Sequence, residues 1–105
     1  MPPGKPILSS THILPECADC LVAVRGEQLD AHVTCKASDA TRANITVGGK
    51  KVQVHINSTT GEFLPAYPVT EKDHMGVVMC SVGNDDVETV QATTKKLYVA
   101  GTVVI

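Results

Sequence analysis

Four cysteines carry most of the chemistry open to this sequence. Cys17 and Cys20 form a C-A-D-C pair, while Cys35 and Cys80 each stand alone on apolar runs. A C-x-x-C pair can act as a dithiol catalyst when its first thiol opens a helix, where the dipole favours the thiolate. Here Pro15-Glu16 precedes the pair and the strand-like run Leu21-Val22-Ala23-Val24 follows it. No strand–helix–strand pattern surrounds it, so a structural cross-link is the expected role. Zinc would ask for two cysteine pairs at ligand spacing, or one pair with clustered histidines. His12, His32, His55 and His74 are scattered, although His32 and His55 fall on the polar faces of expected strands and could be cross-strand neighbours. Exposed strand histidines, with no metal and no other cofactor, are the expectation.

Other catalytic arrangements are weaker. No G-x-S-x-G elbow exists. Asp73 and Asp85-Asp86 sit where carboxylates form turns. Gly48-Gly49-Lys50 lacks the rest of a phosphate loop. Asn84 with Asp85-Asp86 offers too few oxygen donors for a calcium site. A non-enzymatic protein is expected. Two N-glycosylation sequons occur, Asn44-Ile45-Thr46 at a strand start and Asn57-Ser58-Thr59 at a turn. An even cysteine count in a short β-rich chain reads as a disulfide framework, hence an oxidising compartment and a secreted, extracellular protein. Four cysteines allow three full pairings, and periodicity does not choose among them.

The totals narrow the field further. A chain of 105 residues holds one domain. The formal net charge of −2 comes with no basic face, which argues against nucleic acid. The apolar run Leu97–Ile105 is far shorter than the ~20 residues of a membrane helix, so no membrane insertion is expected. Met1-Pro2-Pro3-Gly4-Lys5-Pro6 leads into no apolar stretch, so a mature form or an excised domain with an added Met1 is expected. Phe63, Tyr67 and Tyr98 are the only aromatics. The core must therefore be aliphatic and small, and cross-links would help it.

The elements that must position these residues are strands. Residues 1–12 read as a flexible N-terminal arm and 13–105 as a single β-sandwich domain. After the short strand Leu21–Val24 and a turn at Arg25-Gly26-Glu27, the residues Leu29, Ala31, Val33, Cys35 and Ala37 alternate with polar ones, the mark of a half-buried strand. Ile45 and Val47, then Val52, Val54 and Ile56, alternate on either side of Gly48-Gly49, which reads as a glycine-closed hairpin. Asn57–Gly61 is a second turn. Glu62-Phe63-Leu64 opens a strand that Pro65 and Pro68 should keep short or at an edge. Val77–Val82 carries Cys80, and a last ribbon runs from Val87 to Ile105. No stretch has a helical period with caps. The expected fold is all-β, a small sandwich or barrel of about seven antiparallel strands stapled by disulfides.

The order of these pieces resembles the olive-pollen-allergen-like family. The matching segments are Cys17-Ala18-Asp19-Cys20, then Gly26 to Cys35, then Asn57-Ser58-Thr59-Thr60-Gly61-Glu62-Phe63, and finally Val78-Met79-Cys80-Ser81-Val82. That family usually has six cysteines and this chain has four. The resemblance implies a Cys17–Cys80 link, with Cys20 and Cys35 pairing or free. It also implies a secreted module that binds an extracellular glycan or glycoprotein of the plant cell wall. Carbohydrate sites commonly use an aromatic platform, for which Tyr67 or Tyr98 would serve.

A second resemblance is to immunoglobulin-like domains. Cys35 and Cys80 lie 45 positions apart, within reach of the disulfide that joins the second and sixth strands of such a domain. The packing tryptophan is missing, and Val78 stands at the tyrosine-corner position. That resemblance implies a cell-surface adhesion or receptor domain acting on protein partners.

Overall fold

Alternating apolar residues and glycine-marked turns build eight strands. The computed structural model describes residues 3–84 and 90–100. Its strands are β1 (Ile7–Ser10), β2 (Leu21–Val24), β3 (Val33–Lys36), β4 (Arg42–Val47), β5 (Lys50–Asn57), β6 (Glu62–Ala66), β7 (Val77–Gly83) and β8 (Gln91–Ala100). Single 3-10 turns form at Leu29–Ala31 and Glu71–Asp73. No α-helix occurs among the described residues.

The strands join in the order β1-β3-β6-β5-β4-β7-β8-β2. Every pairing is antiparallel except β2 with β8, which is parallel, Leu21 beside Leu97 through Val24 beside Ala100. The two ends of this sheet nearly meet. The Val22 N–H donates to Ser10 Oγ at 3.1 Å, which brings β1 against β2 and leaves a nearly closed barrel. The expected small all-β barrel of about seven strands, stapled by disulfides, is what forms: the described residues hold eight strands, and one pair among them is parallel.

The inward faces make one aliphatic core. Leu8, Leu21, Leu29, Val33, Ile45, Val78 and Leu97 are all buried, with Phe63 as the one large ring among them. Burial of such a side chain stabilises by about 1.5–3 kcal/mol relative to leaving it in water. Cys35 and Cys80 lie inside this cluster.

The Gly48-Gly49 hairpin is as expected: β4 meets β5 at Val47–Lys50, and both glycines hold the left-handed φ values, 58° and 84°, that a tight turn of this kind needs. Two other expectations are corrected. Residues 7–10 of the segment read as an arm form β1, and Leu8 is a core residue. The strand expected from Leu29 begins only at Val33. The Leu29 N–H bonds the Tyr67 carbonyl at 2.8 Å, which docks Leu29 in the core while Asp30 and Ala31 turn away. β6 is short, which meets the expectation of a short or edge strand, and it lies between β3 and β5. Pro65 is tolerated there because pairing with β3 is confined to Cys35 and Phe63.

Candidate functional site

The cysteines form two cross-links, Cys17–Cys20 and Cys35–Cys80. Among the described residues no cysteine is free. The link between Cys17 and Cys80 that the pollen-allergen resemblance implied is therefore absent. The reason is topological. Cys35 on β3 and Cys80 on β7 point into the same core from opposite sides, with Cα atoms 6.6 Å apart. Cys17 sits in the connection before β2. There the Cys20 N–H bonds the Cys17 carbonyl at 3.1 Å, and this turn brings the two side chains together.

His32 and His55 are not the pair that the sequence suggested. His55 faces outward on β5 opposite Leu64. His32 meets His12 instead, ring centroids 5.2 Å apart. Its Nε2–H donates to Glu27 Oε1 at 2.8 Å, and its Nδ1 lies 3.1 Å from the Thr11 hydroxyl. A hydroxyl, an imidazole and a carboxylate in series have the outline of an acid–base relay. Neither of the two grooves described below is lined by any of the three. Their evident effect is local: they tie residue 11 to residues 27 and 32. Among the described residues no cluster of His, Cys, Asp or Glu could hold a metal ion. The Asn84 amide donates to the Asp39 carbonyl at 2.7 Å. Asp85 and Asp86 lie outside the described residues.

Each of the two tyrosines expected as a sugar platform has an intramolecular partner. The Tyr67 hydroxyl donates to Asp73 Oδ1 at 2.7 Å. Asp73 Oδ2 in turn accepts from the Thr70 N–H at 2.8 Å, which closes the 3-10 turn. The hydrogen bond to Asp73, then burial, then the charge of Asp73 hold the Tyr67 phenol above its ordinary pKa of 10.0. Tyr98 packs edge-on against His74, centroids 4.8 Å apart. The sequons sit in contrasting places. Asn57 ends β5 and its Oδ1 accepts from the Thr59 N–H at 3.0 Å, a local turn. Asn44 lies mid-strand opposite Ser81, next to the fully buried Ile45.

Two surface depressions lie among the described residues. The larger, about 480 Å³, runs over the outer face of β1 and β3. Alternation along these strands sends Leu8, Val33 and Cys35 inward, so Ile7, Ser9, Thr34 and Lys36 must line the outside. Lys5, Ser38 and Glu62 complete the groove. Gly4 closes one end, where its N–H donates to the Ser38 carbonyl at 3.0 Å and any Cβ would stand 2.5 Å from Ser38 Oγ. Ser9 and Thr34 share a hydroxyl hydrogen bond of 3.2 Å. The smaller depression, about 300 Å³, lies beside the Cys17–Cys20 link and takes Lys95 and Lys96 as one wall.

No protein-family model matches this chain, and no curated protein matches its sequence.

The larger groove therefore has to be judged on its chemistry. Two ammonium groups, one carboxylate, three hydroxyls and the two-thirds-exposed Ile7 suit a ligand that combines a carboxylate with an aliphatic side chain. No aromatic ring lines it, so it cannot stack a sugar. Lys36 was legible as a polar-face strand residue. Lys5 and Ile7 were missed because the proline-rich start hides a strand specified by its pairing with β3 and its contact with β2.

Proposed function

We propose that this chain is an immunoglobulin-like, disulfide-stapled extracellular module that binds a protein partner, with the β1–β3 groove as its contact. One observation carries the reading: the Cys35–Cys80 link joins β3 to β7 through the core, and with β1 and β2 taken as the two halves of a split first strand these are the second and sixth strands that an immunoglobulin-like domain joins. The sheet order supports it. β1 and β3, then β6, lie on one side, while β4, β7 and β8 lie on the other with β2 added in parallel. Two disulfides in so small a chain support an oxidising compartment. The groove's two ammonium groups and exposed Ile7 favour a peptide that offers a carboxylate and an aliphatic side chain over a neutral sugar.

The test is a parallel screen of the disulfide-intact protein on an array of extracellular proteins and on a glycan array, with a Lys5→Glu/Lys36→Glu variant beside it. The expected result is a protein ligand whose binding the variant loses. Binding to glycans alone would return the question to the cell-wall reading.

A further inference from the structure

The fork between β4 and β5 leaves a strand edge open. β5 pairs with β4 only over Lys50–Val52 and then leaves it to pair with β6 over Gln53–Asn57. On the side away from β6, residues 53–57 have no strand partner among the described residues. An open edge is a template for one more strand. The side chains there tell the same story. Ile56 stands opposite Phe63, which is 3 % exposed, yet Ile56 itself is 55 % exposed. Ile56 thus shares the strand face of a core residue and yet stays open to solvent. The charge is also one-sided. From residue 40 to residue 61 there is no Asp or Glu, while Lys50, Lys51 and His55 lie on β5, all three exposed. Lys50 and Lys51 make no salt bridge among the described residues.

We propose that the 53–57 edge of β5 binds an extended acidic peptide segment of another protein as an added strand. Backbone hydrogen bonds would supply the register, Ile56 would meet an apolar side chain on one face, and Lys50 and Lys51 would meet carboxylates. This surface adjoins the β1–β3 groove only at Glu62, which lines the groove and stands opposite Asn57, and the proposal does not depend on where the protein resides.

The probe is a seven-residue peptide alternating valine and glutamate, titrated into the protein by NMR. Amide shifts should cluster at residues 53–57. Two N-methylated versions, each blocking alternate backbone N–H groups, separate strand addition from charge attraction without altering the protein. Only the version that blocks the protein-facing groups should lose binding. A Lys50→Glu/Lys51→Glu variant should weaken the unmethylated peptide about tenfold or more. Equal binding of both methylated peptides would overturn strand addition. So would shifts confined to Lys5 and Lys36, or self-association of the peptide-free protein through residues 53–57, which would make a second copy the occupant.

Discussion

The core and the rim of this molecule are held by the same kinds of tie, yet those ties do different work. In the core, Cys35–Cys80 fastens two strands through cysteines that are 45 residues apart in sequence and fully buried. On the rim, Cys17–Cys20 closes a loop of three, and Tyr67 reaches only six residues along to Asp73. A cross-link stabilises by removing freedom from the unfolded chain, and the freedom removed grows with the loop it closes. The core link therefore acts on the whole fold. The rim ties shape the connections that end strands, and each can be lost without disturbing the sheet.

Variants can break that contrast or sharpen it. The largest effect is expected from Cys35→Ala/Cys80→Ala, which should remove about 4 kcal/mol. Since small domains hold only about 5–15 kcal/mol in total, the urea midpoint should collapse or the chain should fail to fold. Cys17→Ala/Cys20→Ala should cost less than half as much, about 1.6 kcal/mol by the same loop argument. Equal losses in the two double variants would erase the distinction between core and rim.

Tyr67→Phe comes next, at about 1 kcal/mol for one hydrogen bond. It also has a signature in pH. The raised Tyr67 pKa means that the folded state holds the phenolic proton more tightly than the unfolded chain does. That stabilisation is complete below pH 10.0 and is lost as pH rises through 10.0 and past the raised value. Urea titrations on either side of pH 10 should show the decline in the parent protein and a flatter response in Tyr67→Phe. Smallest of all, Lys5→Glu/Lys36→Glu should leave stability within about 0.5 kcal/mol, because the groove is surface chemistry laid over an intact sheet.

The sequence made the core more legible than the rim, for a physical reason. Period-two alternation reports a strand with one buried face, and it found Cys35, Ile45, Val47 and Val52 because those residues are buried as it required. The glycine pair at 48 and 49 marked its hairpin for the same kind of local reason. Alternation cannot tell a strand from a turn whose residues happen to alternate. Leu29 to Ala31 were misread in this way, since a long-range bond to Tyr67 fixes them. Nor does local pattern reveal β1, which is specified by pairing with β3 and by the Ser10 contact to β2. The candidate groove inherits that blindness, because Lys5, Ile7 and Ser9 gain their positions from β1 alone. The fork at β5 was equally hidden: Val52, Val54 and Ile56 alternate without a break, while their partner changes from β4 to β6.

The disulfide pattern is the most direct measurement. A digest of the native, unreduced protein should yield one peptide that holds Cys17 and Cys20 in an internal link, and a second, cross-linked species that joins the Cys35 and Cys80 peptides. A Cys17–Cys80 link in that digest would contradict the division between core and rim, and the immunoglobulin-like reading with it.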